Sequence, residues 1–211
     1  MKYWDMRWGL INRYNRSQGL RAGVKSSRMN DMRNLYSIVF LCAISNFSFA
    51  NGGYSSLRQE LNQMMELDQS TLHGKTDLNF EELRVKQANR IQEIVTEFGW
   101  PTVDMVGQDA SQAAWIIVQH ADYDKGFQDR MLKIMRPLAL EGKINPANYA
   151  YLYDRTHHPQ LYGTQGKCEG TDFTPFPIQD VEDIDSRRLE LKMTTAQAYW
   201  DMASERMCGR K

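Results

Sequence analysis

From Tyr54 onward, apolar residues recur at three-to-four spacing in runs bounded by capping or breaking residues. Leu57, Leu61, Met64 and Met65 predict a first helix from Tyr54 to about Leu72, capped by Ser55 or Ser56. Leu83, Ala88, Ile91, Ile94, Val95 and Phe98 predict a second over roughly 80–98. Its other side, with Glu81, Arg84, Lys86, Arg90, Glu93 and Glu97, reads as a solvated face. Gly99 stops that helix, and Pro101 prevents it from resuming. Asp109 or Ser111 opens the next, which carries Ala113 to Val118, the most apolar stretch beyond residue 50. A helix so apolar is expected at the centre, buried on most sides, and Asp122 to Asp124 ends it.

Phe127, Met131, Ile134, Met135 and Leu138 predict a fourth helix, with Pro137 near its end. Asn145-Pro146 opens a fifth, through Tyr149, Leu152 and Tyr153 to about His157. Residues 159–177 hold Gly163, Gly166, Gly170, Pro175 and Pro177 without helical or strand period, which reads as one long loop. Asp180 or Asp183 begins a helix through Ile184, Arg187, Arg188 and Leu191. Thr194 or Thr195 caps a last one with Ala198, Tyr199, Met202 and Ala203. No stretch sustains a period of two. The expectation is an all-α, single bundle-like domain of six or seven helices over 51–211.

The first fifty residues follow a different pattern. Met32-Arg33-Asn34 is a short basic start, Leu35 to Ile44 an apolar run, and Ser48-Phe49-Ala50 a small-residue cleavage site. Residues 32–50 are therefore read as a signal peptide cut after Ala50, and the mature chain as periplasmic or secreted. A membrane span needs about 20 predominantly apolar residues, and Ser45-Asn46 interrupts the run too early, so no stable span is expected after cleavage. Leu41 is too bulky for a lipoprotein site at Cys42. Residues 1–31, basic and without periodicity, are read as an extension upstream of a true start at Met32 or Met29, with a long basic leader as the alternative.

Charge sharpens the division. Of 26 basic and 26 acidic residues, eight and two fall in 1–50, leaving 18 and 24 in 51–211. A body with a net charge of −6 is unsuited to phosphate-backbone binding, so no nucleic-acid partner is expected. Removing 1–50 also removes Cys42. Cys168 and Cys208 remain, a possible disulfide in an oxidising compartment.

The candidate chemistry gathers at the end of the central helix. Spacing places Ala113, Ile116, Ile117 and His120 on one side, and Trp115, Gln119 and Asp122 on the neighbouring side. An inward imidazole needs a partner for its ring nitrogens, and Asp154 or Asp122 are the candidates, with Arg155 holding the carboxylate ionised. Gln160 to Gly166 adds Tyr162, Gly163, Thr164 and Gln165, a phenol, a hydroxyl and an amide around glycine. One reading makes His120 with Asp154 or Asp122 a catalytic acid–base pair facing a substrate held by that loop. The other makes the same residues a satisfied network that pins the loop to the bundle. Asp154, His157 and His158 have a spacing compatible with metal, but a His pair at a helix end before proline reads as a capping feature, and no metal or cofactor is expected. The common hydrolase, zinc and nucleotide motifs are absent from the sequence.

Five segments occur in one order: Gly99-Trp100-Pro101-Thr102, Ala114 to Asp122, Tyr151 to Arg155, Gln160 to Gln165, and Pro177 to Asp180 with Asp185 to Arg188. Together they resemble a bacterial family known as domain of unknown function 6624, over about Leu57 to Tyr199. The resemblance implies no assigned activity. Three expectations stand. The first is an exported domain binding a small or cell-envelope ligand, or a protein partner, at Gln119, His120, Arg155 and the Tyr162–Gln165 loop. The second is a hydrolase or transferase using His120, and the third a structural or immunity-type interaction protein.

Overall fold

The computed structural model describes residues 47–210, with side chains described from residue 54. The extension 1–31 and most of the expected signal peptide lie outside the described residues. The chain divides into a unit ending at Tyr54 and a compact unit of Ser55–Lys211, which holds every side chain named below.

Seven α-helices lie among the described residues: α1 (Phe47–Leu72), α2 (Phe80–Phe98), α3 (Val103–His120), α4 (Lys125–Glu141), α5 (Pro146–Thr156), α6 (Ile184–Glu190) and α7 (Ala196–Met207). Their starts are set by short polar side chains that accept bonds from otherwise orphaned N–H groups. Asn79 Oδ1 accepts from Glu81 N at 2.9 Å, Asp124 Oδ1 from Phe127 N at 2.8 Å, and Asn145 Oδ1 from Ala147 N at 3.0 Å. Gly99 closes α2 and Gly142, left-handed, closes α4. The all-α expectation holds.

Two boundaries differ from the sequence reading. α1 is already helical at Phe47, where the described residues begin, rather than opening at Tyr54. α3 begins at Val103 rather than Asp109 or Ser111, because a short turn is joined to the main helix across a break at Gly107, where φ is +81°. Only glycine enters that region at little cost. The break is filled by Arg58, whose Nε donates to Val106 O at 2.7 Å.

α3 is the axis of the bundle. Every residue from Ala113 to Ala121 is at most 6% exposed. It packs against α2, α4 and α5, with Leu61, Ile91, Ile94, Met131, Met135 and Leu152 completing the core. Burying side chains such as Ile116 and Ile117 contributes roughly 1.5–3 kcal/mol each before conformational entropy is counted. Gln128, fully buried on α4, donates through Nε2 to Val118 O (3.0 Å) and Gln119 O (3.2 Å), which satisfies carbonyls at the end of α3.

The segment 159–177 is not a structureless loop. It contains an antiparallel hairpin, β1 (Gly166–Glu169) with β2 (Asp172–Pro175), in register Glu169 with Asp172 across Gly170-Thr171. Strands of four residues are too short to display a period of two, which is why the pattern did not reveal them. β2 packs on α7, where Ser204 Oγ accepts from Phe173 N at 2.8 Å. Cys168 of β1 is bonded to Cys208 just after α7, their Cα atoms 5.4 Å apart.

Candidate functional site

The polar residues expected to form one cluster separate into three. His120, on the α2 side of α3, lies with Nδ1 2.9 Å from Oδ1 of Asp68, a residue of α1. The two side chains are 4% and 0% exposed, and Gln69 Nε2 donates to the other Asp68 oxygen at 2.9 Å. The Phe80 ring meets the imidazole edge-on at 5.6 Å. The expected partners of His120, Asp154 and Asp122, are thus replaced by Asp68. They are committed elsewhere, and α1 supplies the nearer carboxylate.

Asp154 organises the loop before β1. Its Oδ1 accepts from Leu161 N (2.8 Å) and Tyr162 N (3.0 Å), and its Oδ2 from Thr164 N and Thr164 Oγ1, both at 2.8 Å. Burial pushes this carboxyl above the ordinary carboxylate range, and the four donors pull it back only in part. Gln160 ties the same loop from within: its Nε2 donates to Gln165 O and Phe176 O, and its Oε1 accepts from Gln165 N. From the C-terminal helices, the wholly buried Arg188 donates to Tyr162 O at 2.6 Å, Trp200 Nε1 to Gly163 O, and Tyr199 Oη to Thr164 O. Gly163 has φ +65°, and a Cβ there would lie 2.8 Å from Ile184 Cδ1, so the close approach needs glycine. Tyr162 is buried against Tyr149 and Tyr153. Burial raises the pKa of both the Tyr149 and Tyr162 phenols.

The third cluster is a seam between α3 and α5. Asn148 Nδ2 donates to Gln112 Oε1 at 2.8 Å, the Trp115 and Tyr151 rings meet edge to face at 5.9 Å, and Arg155 Nη2 donates to Asp122 Oδ2 at 2.9 Å. Positions 112, 115 and 119 share one face of α3, as 148, 151 and 155 share one of α5, and Asp122 follows in the turn after α3, so the pairs succeed one another along the seam. Asp122 and Arg155 are 27% and 23% exposed, whereas Trp115, Gln119 and Gln165 beneath are buried. The Tyr151 phenol, its pKa raised by burial, is bonded to the Gln165 side chain, which brings the rigid loop to the seam.

Gln119 falls one turn after Trp115, in the last turn of α3. Its side chain therefore lies on the face of α3 that carries Gln112 and Trp115. It is 6% exposed, and its Nε2 has no hydrogen-bond acceptor. A buried donor without a partner costs about 1–3 kcal/mol, a cost that a core position would ordinarily avoid by an apolar residue.

Of the residues singled out from sequence, the seam joins Gln119, Asp122, Arg155 and Gln165. His120 faces away from it, and Asp154, Tyr162, Gly163 and Thr164 form its support. Asp68, Tyr151 and Arg188 were not singled out. Asp68 was findable: with Leu57 and Leu61 it lies on the buried stripe of α1, where a lone carboxylate demands a partner. His157 stacks on Tyr153 at 4.3 Å. Among the described residues no group of three His, Cys, Asp or Glu side chains is placed to hold a metal ion.

Among the described residues, no helix is long and apolar enough to cross a membrane. No curated protein and no solved structure matches the chain. The profile of one family does match, over residues 55–208, and that span takes in the whole helical domain with all three polar clusters. The chain belongs to that family, a family of unknown function (DUF6624).

Proposed function

We propose that this is an exported domain that binds a small ligand at the α3–α5 seam. The ligand enters beside Asp122 and Arg155 and ends against Gln119, Tyr151 and Gln165. The observation that carries the reading is the buried Gln119 amide, whose Nε2 has no acceptor, in the last turn of α3 shortly before the partly open Asp122–Arg155 pair. Small-molecule sites combine such a few fixed polar groups with aromatic walls, and Trp115 and Tyr151 are of that kind. The wall formed by Gln165 is held by Asp154, Gln160 and α7, so little ordering would be needed on binding.

Export is supported by the three-part pattern of residues 32–50. The Cys168–Cys208 bond adds to it, since such bonds persist in oxidising compartments. The terminus of protein recovered from the producing cell should be Asn51, and a mature chain that keeps Trp4 and Trp8 would sink this part. For binding, native mass spectrometry of the recovered protein should find an added small mass that is lost in Arg155→Ala. Bare protein in both, with no thermal shift from the cell's small-molecule extract, would overturn it.

A further inference from the structure

We propose that the Cys168–Cys208 bond is a redox latch: a dithiol reductant opens it in the folded protein and frees the β1–β2 hairpin from α7, while the helical bundle stays folded. The latch is separate from the α3–α5 seam and does not rest on the ligand-binding reading.

The bond lies outside the core. Of β1 only Gly166 is buried, and Lys167, Cys168 and Glu169 are exposed. Cys208, half-buried, directly follows the last residue of α7. Thiol–disulfide exchange begins with a thiolate reaching one of the two sulfurs, so access decides whether a folded protein can be reduced. Cys168 offers that access. It sits on an outer strand between Lys167 and Glu169, which are paired with each other at 2.7 Å.

Besides the bond, Phe173 anchors the hairpin. It is the buried residue of β2, its ring edge-on to Tyr199 at 6.0 Å and its N–H donating to Ser204 Oγ. Arg210 adds a tie, reaching Asp172 at 2.5 Å and Asp201 at 2.9 Å. All three of these side chains are partly exposed, so solvent screens the pairs and they hold little. The loop before β1 is fastened differently. Asp154, Gln160 and Arg188 hold it, and their bonds do not pass through either cysteine. Opening the latch therefore loosens the hairpin and the chain end after α7, and leaves the bundle its own contacts.

The exchange balances with a dithiol. One thiolate of the reductant attacks Cys168 Sγ, the bond to Cys208 breaks, and Cys208 leaves as a thiolate that takes a proton. The second thiol of the reductant then attacks the reductant's own sulfur in the mixed disulfide, and Cys168 is released as a thiol. Two electrons pass to the protein, and the reductant ends as a disulfide. The reductant class is a dithiol oxidoreductase, for which dithiothreitol is the small-molecule probe. In an oxidising compartment without such a reductant the latch stays closed.

The test treats the folded protein with dithiothreitol in the absence of denaturant, maps thiols by alkylation, and follows amide hydrogen exchange by mass spectrometry. Cys168 and Cys208 should both become alkylated. Peptides covering 166–175 should then exchange about tenfold faster or more, while those covering 113–121 of α3 keep their protection. The double variant Cys168→Ser with Cys208→Ser should show the same local loss with no reductant present, which separates the effect of the bond from the effect of the reagent. Alkylation that needs denaturant would overturn the latch, because the bond would then be closed to a reductant in the folded state. Equal exchange of 166–175 in the oxidised and reduced protein would overturn it too, since the bond would hold nothing. Loss of α3 protection together with the hairpin, in the reduced protein and in the double variant, would make the bond a staple of the whole fold instead.

Discussion

Two carboxylates are paired with side chains at the C-terminal end of α3, and the pairs differ in one respect that matters. Asp68–His120 is closed, its members 0% and 4% exposed, with Gln69 on the second oxygen and Phe80 against the ring. Asp122–Arg155, two residues further along, keeps about a quarter of each side chain exposed, and the last turn of α3 before it carries a buried amide that lacks an acceptor. Solvation sets the consequence. A closed pair has given up its hydration, so removing one partner leaves the other buried without a substitute. A half-open pair is screened, contributes little, and stays available to an incoming group. Neighbouring stretches of one helix thus do different work because one side meets α1 and α2 and the other borders water.

The contrast is broken most directly at His120. His120→Ala should cost about 3–5 kcal/mol by stranding Asp68, comparable to the roughly 2–5 kcal/mol expected for the cavity in Ile117→Ala on the same helix. A His120→Ala protein that melts like wild type would show that the closed pair is not structural.

Next in size is Asp154→Asn, which presents an amide N–H₂ to a loop made only of donors. The expected loss is about 3 kcal/mol in chemical denaturation. A loss below that of an exposed substitution would remove the argument that the loop is a rigid wall.

The buried loop cluster around Asp154 has a pH signature. Burial raises the Tyr149 and Tyr162 phenols, so the folded chain holds protons that the unfolded chain releases above its ordinary phenol value near 10. Stability should therefore be flat up to about pH 10 and fall beyond it, by about 1 kcal/mol per pH unit and phenol. Tyr162→Phe should flatten that limb. An alkaline limb unchanged in Tyr162→Phe would contradict the assignment.

The smallest effect belongs to the open pair. Asp122→Ala should change stability by less than about 1 kcal/mol. Measured in a double-mutant cycle with Arg155→Ala, a coupling as large as the His120 effect would erase the distinction between the two pairs.

Most helices were legible from apolar spacing and capping residues. Asn145-Pro146 stands where α5 begins and Gly99 where α2 ends, as the sequence indicates, whereas the caps at Asn79, Asp124 and Gly142 come from the structure. These are local signals, read within one or two turns. The central position of α3 was legible too, because Ala113 to Val118 has no polar face to give to water. The hairpin was not, since four-residue strands leave no period and depend on Phe173 packing against α7.

By itself the sequence determined where the chain is helical, which helix is buried, and that its end is crowded with polar groups needing partners. The tertiary structure alone decided the partners. His120 could have met Asp68, Asp122 or Asp154, residues far apart in sequence, and spacing along one helix carries no information about which distant carboxylate is brought within 3 Å. That choice follows from packing α1 and α2 on one side of α3 and α5 on the other. The same packing left Gln119 facing the seam.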